Sequence, residues 1–344
     1  MSFTILLTCV GGEMSPQMIR SLKSSGRHDV TVLGVDTQAE ATGRHFADAF
    51  ATVPAGTATD YVDVIAELVA RHGVDLVLPC SDEEALSLAR HRGKVEDQGC
   101  RLACIDVDVL EIFADKAATH ERLHELGLPV PAWQRADSLE AIRAAVASML
   151  AEHGEAVVKP ASARGGRGVC VIRSDLSGAR PCAGARETHM DRGTFDRDYV
   201  ETFSDALPAI VMQRLSSPVY DIDMLAWQGR PIRVVPRRRV NSALPNEGHT
   251  IVEDEVLMDL GRRIIENFSL SWLYDCDVMR DADGRPYVIE INPRPSGSIA
   301  ATVAAGAPLL DDLISLARDL PLPDVEIPFG RVVIPYKAIT AIDG

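Results

Sequence analysis

The sequence predicts an α/β region with a small parallel sheet, followed by an α+β region whose strands pair as hairpins. Strand and helix patterns alternate over residues 3–105, which is typical of a parallel sheet covered by helices. A Gly- and Arg-rich loop at 160–168 separates two apolar strand patterns, and a polar turn at 281–284 separates two others. At 344 residues the chain exceeds one ordinary hydrophobic core, so we expect two or three domains.

The first region begins with an apolar strand that ends at Gly11-Gly12. Its further elements are strands at 30–35, 74–78 and 101–105 and helices that start at Ser15, Tyr61 and Ser81. Gly11-Gly12 followed by Asp36 resembles a dinucleotide-binding turn, but positions 13–17 lack the remaining glycines of that motif. A plain strand-to-helix turn explains the two glycines equally well.

The middle of the chain places a lysine directly before the Gly-rich loop. The elements here are helices at 115–126 and 140–153 and strands at 156–159 and 169–172. Lys159 projects from an apolar strand, and a desolvated lysine favours a nearby anion. The loop that follows offers backbone N–H groups and positive charge, which suit a phosphate chain. An ordinary flexible hairpin is the alternative interpretation of this loop.

The last part of the chain contains the densest positive cluster. Residues 174–200 predict a mobile, irregular surface connection. Beyond it the patterns predict strands at 209–213, 221–227 and 233–239 and helices at 253–268 and 298–318. In a chain of net charge −15, Arg237 and Arg239 on the basic strand favour contact with phosphate or a substrate carboxylate. A charged sheet edge that discourages aggregation is the other interpretation.

The stretch 273–297 predicts a β-hairpin that carries a metal site. Asp277 lies 7 residues before Gly284 and Glu290 lies 6 after it, so the two carboxylates face each other across the strands. Glu290, Asn292 and Arg294 follow at steps of two and share one face. Carboxylate and amide oxygens are ligands that Mg²⁺ prefers. A surface hairpin with solvated acids is the alternative, but an unpaired charge inside the apolar run around Glu290 costs several kcal/mol.

Composition and charge argue against several classes of partner. The net charge of −15 argues against nucleic acid and against an anionic membrane surface. No apolar run reaches the length of a membrane-spanning helix, and the N-terminus lacks the basic start of a secretory signal, so we expect a cytoplasmic protein. The seven cysteines include no Cys-x-x-Cys pair, which favours buried free thiols in a reducing compartment.

The hairpin residues resemble the metal-binding signature of the ATP-grasp superfamily. The matching pattern is Glu290-Ile-Asn-Pro-Arg294, with Asp277 13 residues before the glutamate. The resemblance extends over nearly the whole chain. In form, the chain is similar to a synthetase domain of the carbamoyl phosphate synthetase large chain. The resemblance implies a pre-ATP-grasp domain at 1–112, a small ATP-grasp subdomain at 113–190 and a large ATP-grasp subdomain at 191–344.

The resemblance also implies a ligand set and residue roles. The nucleotide is ATP, held with two Mg²⁺ ions that Mn²⁺ could replace, and the metal ligands are Asp277, Glu290 and Asn292. The implied ATP contacts are Lys116, Lys159, Ser162, Gly165, Gly166, Arg167, Gly168, Met212, Gln213, Leu215, Asp221, Met279 and Ile289. The implied catalytic residues are Arg294, Arg239 and Lys159. The glutamate that usually holds the ribose is missing, so Asp221 or Asp223 would replace it.

The function implied by this resemblance is that of an ATP-dependent carboxylate–amine ligase. A carboxylate, expected to be that of an amino acid, takes the γ-phosphate of ATP, and an amine then attacks the acyl phosphate with release of phosphate. Two alternatives stay open: an ATP-grasp enzyme that activates bicarbonate, and a non-catalytic nucleotide- or metabolite-binding subunit. The expected partners are therefore small molecules, and a homodimer is compatible with this prediction.

Overall fold

The computed structural model of the chain describes residues 2–162, 168–181, 187–244, 246–336 and 338–339. In these ranges the strands form three sheets, one of five strands and two of six. The predicted fold class, a parallel-sheet region followed by a two-part α+β region, is confirmed. Among the described residues, none of the helices has the apolar length that a membrane crossing requires.

The N-terminal sheet is parallel throughout and has the strand order β3-β2-β1-β4-β5. Its strands are β1 (Phe3–Leu7), β2 (Val30–Asp36), β3 (Ala49–Thr52), β4 (Leu76–Leu78) and β5 (Arg101–Leu102). The helical segments around it are α1 (Ser15–Lys23), a 3₁₀ turn (Thr42–His45), α2 (Tyr61–His72), α3 (Asp82–Arg90), α4 (Arg92–Glu96) and α5 (Val107–Ala114). Ile5 and Leu7 pack with α1, whereas Leu6 packs with α2, so the sheet is buried on both faces.

The second sheet has the order β6-β11-β7-β8-β10-β9. Its strands are β6 (Trp133–Ala136), β7 (Glu155–Pro160), β8 (Val169–Arg173), β9 (Ala179–Pro181), β10 (Glu187–Met190) and β11 (Ala209–Gln213). The helical segments in this part are α6 (Lys116–Glu125), α7 (Leu139–His153), α8 (Arg192–Thr194), a π turn (Phe195–Tyr199) and a 3₁₀ segment (Val200–Ala206). Helix α7 covers one face with the apolar stripe of Ile142, Val146 and Met149, which leaves the other face for the site.

The third sheet is antiparallel and has the order β16-β15-β12-β13-β14-β17. Its strands are β12 (Ser216–Trp227), β13 (Arg230–Arg239), β14 (His249–Ile251), β15 (Trp272–Arg280), β16 (Pro286–Asn292) and β17 (Val332–Val333). The helices of this part are α9 (Glu255–Asn267), α10 (Ile299–Ala304) and α11 (Leu309–Ala317). Helix α9 packs on β12 and β13, and α10 and α11 pack against α1, so the first and third sheets share a core.

Three predicted features differ from the observed ones. Residues 174–200, predicted as an irregular connection, contain β9, β10 and α8. The single helix predicted over 298–318 is broken into α10 and α11, because Gly306 adopts a φ of 104° that a continuous helix does not allow. The basic strand β13 is not a sheet edge, since it lies between β12 and β14, and that interpretation is wrong.

The second sheet continues beyond the predicted domain boundary after residue 190. Strand β11, at 209–213, lies inside this sheet between β6 and β7. The third sheet starts with β12 at residue 216. The predicted domain boundaries themselves stay a prediction, but the change from one sheet to the next falls between these two strands.

Candidate nucleotide and metal site

The hairpin of β15 and β16 forms as the sequence predicts. Gly284 N donates to Asp281 O at 3.0 Å in the turn, and Gly284 has a φ of 81°, which glycine adopts without strain. Asp277 pairs with Glu290 across the two strands, and the next pairs toward the open end of the hairpin bring in Asn292. The three predicted metal ligands therefore lie together on neighbouring strands.

A β-bulge in β16 decides which way the hairpin side chains face. The register shifts after Asp277 and leaves Ile289 as an extra residue on β16. Val288 and Ile291 are both buried in the core although they are three positions apart in the chain. Ile289 and Glu290 between them lie on the opposite side, so the bulge places an apolar residue and an acid next to each other on the site face.

Two lysines reach this hairpin, one from helix α6 and one from the second sheet. Lys116 is the first residue of α6, and its backbone N donates to Ala161 O at 3.0 Å, which ties the start of α6 to the end of β7. Its ammonium nitrogen lies 3.3 Å from Glu290 Oε2. Lys159 extends from β7 and is only 8% exposed. Lysines 43 residues apart in the sequence thus converge on one carboxylate region.

The charges of this group shift one another's pKa values. Burial lowers the pKa of Lys159 to about 8, although Glu290 and Asp277 favour its charged form. Desolvation alone would raise the pKa of Glu290, but the positive charges of Lys116 and Lys159 outweigh it and lower that pKa. The two lysines and two acids therefore behave as one electrostatic unit.

A cluster of aspartates lies beneath the hairpin. Asp221, Asp275 and Asp277 bring carboxylate oxygens within 4.8 Å of one another. Arg239 on β13 lies between two of them, with Nη2 2.5 Å from Asp221 and 2.9 Å from Asp277. Burial nevertheless raises the pKa of Asp277 to about 7 against the effect of Arg239, and the charges of Asp221 and Glu290 add to the rise. A further positive charge at Asp277 would therefore be stabilised.

The donor atoms at the hairpin fit a hard divalent cation. Asp277 Oδ1 is buried and has no hydrogen-bond partner within the described part of the chain. A buried carboxylate oxygen without a partner is costly unless a cation or donor reaches it. Glu290 is partly exposed beside it, and Asn292 supplies an amide oxygen. Two carboxylates and an amide oxygen are the ligand types that Mg²⁺ prefers.

Arg294 is held by the first region of the chain. Its Nε lies 3.2 Å from Asp82 Oδ1, and its Nη2 donates to Asn292 Oδ1 at 3.1 Å. Asp82 is the first residue of α3, capped by Ser81. Acids are common in the first turn of any helix, so the sequence pattern does not distinguish Asp82 as a site residue. The structure shows that it joins the N-terminal sheet to the predicted catalytic arginine.

An apolar cluster adjoins the hairpin on the inner face of the second sheet. Its members are Val157, Val171 and Met212, packed with Trp133, Val169 and Ile289. Met212 and Ile289, both predicted to contact ATP, therefore meet across two sheets. Gln213 is already engaged, because its Oε1 accepts from Ala132 N at 2.8 Å. Leu215 is buried, whereas Met279 is half-buried on β15 and does not belong to this cluster in the described ranges.

The predicted phosphate loop is described only at its ends. Ser162 is exposed, and Gly168 has a φ of 73° at the start of β8. The other predicted loop contacts, Gly165, Gly166 and Arg167, lie outside the described residues. The backbone bond from Lys116 N to Ala161 O places the beginning of the loop beside the first lysine.

Two residues of the third sheet lie where their suggested roles do not fit. Arg237 is fully buried at 0% exposure, with its Nε 2.8 Å from Asp223, so it cannot touch phosphate or substrate. Asp221, suggested for the ribose, lies in the aspartate cluster, where both of its oxygens accept from Arg239 and Oδ2 lies 3.3 Å from His249. Asp221 therefore positions Arg239, and at 1% exposure it does not lie open to a ribose hydroxyl.

The comparisons with known proteins support an ATP-grasp superfamily protein with a PylC-like N-terminal domain. Residues 205–337 match the family described as ATP-grasp in the biosynthetic pathway with Ter operon. Residues 5–103 match the family described as PylC-like, N-terminal domain. The resemblance drawn from the sequence is thereby confirmed.

The similar proteins are distant in sequence. The chain is 23% identical over 295 residues to the arginine-specific large chain of carbamoyl phosphate synthase from Geobacillus stearothermophilus, over 82% of this chain and 26% of that protein. It thus spans about a quarter of the length of the curated relatives it matches.

Solved structures share the fold. The biotin carboxylase domain of 2-oxoglutarate carboxylase from Hydrogenobacter thermophilus, in complex with MgADP, ADP and bicarbonate, gives a TM-score of 0.68 at 17% identity, over 96% of this chain and 73% of that chain. The L-amino acid ligase from Bacillus licheniformis gives a TM-score of 0.65 at 16% identity, over 92% of this chain and 74% of that chain.

Proposed function

We propose that this chain is an ATP-dependent carboxylate–amine ligase that forms an amide or peptide bond through an acyl phosphate. The observation that supports it best is the meeting of Lys116 and Lys159 with the acids Asp277 and Glu290. The two lysines lie beside the second sheet and face carboxylates of the third sheet. This arrangement suits a triphosphate between the two sheets. The apolar cluster around Met212 and Ile289 adjoins this place and would take the adenine ring.

In the proposed reaction a substrate carboxylate oxygen attacks the γ-phosphorus of ATP, and the bond to the β–γ bridging oxygen breaks to give ADP. The amine nitrogen then attacks the acyl carbon, phosphate leaves, and the amine proton is lost to solvent. Both steps need alignment and charge compensation rather than a protein nucleophile. Lys116 and Lys159 would bind phosphate oxygens, and Arg294 would stabilise the phosphoryl group in transfer.

Asp277, Glu290 and Asn292 would hold Mg²⁺, two ions in our proposal. When bound, the metal neutralises phosphate charge and fixes the orientation of the triphosphate. Arg239 keeps Asp277 in place from below, since its Nη2 lies 2.9 Å from that carboxylate. Arg294 is kept in place by Asp82 and by Asn292, so the predicted phosphoryl-binding group and a metal ligand are aligned by the same contacts.

A hydroxylamine-trapping screen tests this proposal. The purified chain is incubated with ATP, Mg²⁺, hydroxylamine and a panel of amino and organic acids, and an acyl phosphate appears as a hydroxamate. We expect hydroxamate and ADP with at least one acid, and loss of both in Glu290→Gln. Asp283→Asn, which neutralises an exposed acid in the turn of the same hairpin, is the matched control. ATP binding without hydroxamate across the panel would contradict the ligase, and the absence of ADP release with bicarbonate as well would favour a non-catalytic binding subunit.

A bicarbonate-activating enzyme is the second candidate. It is supported by the likeness to carbamoyl phosphate synthase and to a biotin carboxylase domain whose structure contains bicarbonate. The two candidates differ in one measurement, the release of ADP in buffer freed of carbon dioxide. Strict dependence on added bicarbonate would favour the second candidate, whereas release that depends on an amino or organic acid favours the ligase.

A further inference from the structure

The bulge that turns Ile289 and Glu290 to the same side lies in an edge strand. Among the described residues, strand β16 is the outermost strand of the third sheet, and its outer edge has no neighbouring strand of that sheet. Two hydrogen bonds from the segment that precedes the second sheet hold this edge. Val288 N donates to Pro129 O at 2.9 Å, and Ile289 O meets His120 Nε2 at 3.0 Å. The carbonyl that His120 contacts belongs to the bulged residue itself.

We infer that His120 is a positioning residue that holds the bulge of β16 and thereby keeps Glu290 directed to Lys116. This inference rests on the proposed function for its consequence, but not for its geometry. His120 follows Lys116 by four residues on α6, so both side chains leave the same face of one helix. One contacts the backbone of Ile289, and the other lies 3.3 Å from the side chain of the next residue, Glu290.

The surroundings of His120 fix its chemical form. The ring is 0% exposed and packs edge-on against Trp133, with ring centroids 5.7 Å apart. A backbone carbonyl only accepts, so Nε2 must carry the proton and donate it to Ile289 O. Burial lowers the pKa of His120 and so disfavours a second proton on this ring, and the charges of Lys159 and Lys116 add to that effect. His120 is therefore a neutral donor on a site crowded with cations.

The contact matters because strand register has a period of two. If the bulge were lost, β16 would shift by one residue relative to β15, and Glu290 would turn toward the core. A donor on the carbonyl of Ile289 stabilises the bulged arrangement, since that carbonyl would otherwise lack a partner at the sheet edge. His120 thus acts on the metal-binding acid through the backbone, without touching nucleotide or metal itself.

The test compares His120→Leu, His120→Gln and the control His124→Leu. His124 is an exposed residue of the same helix, one turn further along. Hydrogen exchange of the free protein is measured on peptides that cover 286–292, and MgADP binding is measured by calorimetry over a series of Mg²⁺ concentrations. We expect His120→Leu to speed hydrogen exchange only in 286–292. We also expect it to lower the apparent affinity for Mg²⁺ in MgADP binding about 10- to 100-fold. His120→Gln keeps an N–H donor, so it should retain most of the exchange protection of 286–292 and most of the Mg²⁺ affinity.

Two results would overturn the inference. One is unchanged exchange over 286–292 in His120→Leu. The other is faster exchange across the whole chain in the leucine and glutamine variants alike, which would mean that His120 is only a packing residue. If exchange changes locally but the wild-type chain does not bind MgADP, the positioning role stands and the proposed function fails, so the two failures are distinguishable.

Discussion

The charged side chain of Lys159 is expected to lower the stability of the folded protein. Its pKa falls from 10.5 to about 8, a difference of about 2.5 units that already includes the attraction of Glu290 and Asp277. At 1.36 kcal/mol per unit this makes the charged lysine cost about 3 kcal/mol in the folded chain at pH 7. We therefore expect Lys159→Met, which keeps the length of the side chain and removes the ammonium group, to raise the free energy of unfolding by up to about 3 kcal/mol.

The stability difference between the wild type and Lys159→Met should shrink as the pH rises. The folded chain releases the Lys159 proton near pH 8 and the unfolded chain near 10.5, so between these values the unfolded chain binds more protons. The stability of the wild type should therefore rise relative to the variant by about 1.4 kcal/mol per pH unit in that window. The advantage of Lys159→Met is full below pH 8 and disappears toward pH 10.5.

Urea unfolding followed by tryptophan fluorescence at pH 7 and pH 9.5 measures both effects. Lys116→Met is the matched comparison, because Lys116 lies 3.3 Å from Glu290 and is more exposed, and its removal should not stabilise the chain. Binding of MgADP should weaken about tenfold or more in Lys159→Met, since a buried cation is lost from the proposed phosphate site. A variant less stable than wild type at pH 7, or an advantage that does not change with pH, would refute this reasoning.

Three further substitutions test other parts of the site. Glu290→Gln should abolish ADP release with an unchanged circular dichroism spectrum, and normal turnover would refute the metal assignment. Asp82→Asn removes the ion pair of Arg294, so kcat for ADP release should fall by up to about 100-fold with little change in the KM for ATP; a change in KM alone would be the contrary result. Arg237→Met leaves Asp223 buried without its partner and should cost about 3–5 kcal/mol in urea unfolding, and a loss under 1 kcal/mol would contradict the role of that pair.

The local parts of the fold could be predicted because their signals are local. The hairpin follows from a polar turn between two apolar runs, and the pairing of Asp277 with Glu290 follows from counting residues from Gly284. The count did not reveal the bulge, because it finds 7 residues before Gly284 and 6 after it, whereas the extra residue lies on the strand after the turn. The counting located the pair correctly but did not show that Ile289 shares the face of Glu290.

Contacts between distant segments could not be predicted in the same way. Asp82 looks like an ordinary acid at the start of a helix, and His120 looks like one of two histidines on a polar helix. Their roles depend on contacts with backbone or side-chain atoms more than 150 residues away in the sequence. His120 and Ile289, for example, are 169 residues apart. A single sequence contains no pattern that specifies such a pairing, because neither partner needs a special neighbour in its own segment.

Contacts between distant segments also explain why the expected role of the arginines on β13 differs from the observed one. A cluster of arginines on β13 suggested a phosphate-binding surface, but a sequence does not show which acids pair with them. In the folded chain Arg237 meets Asp223, and Arg239 meets Asp221 and Asp277, so the strand brings its positive charge to acids of the chain itself. Under the proposed function, much of the charge of a triphosphate would therefore be met by cations that arrive with it. A metal carried by the proposed nucleotide would bind the buried oxygen of Asp277 that no donor in the described ranges satisfies.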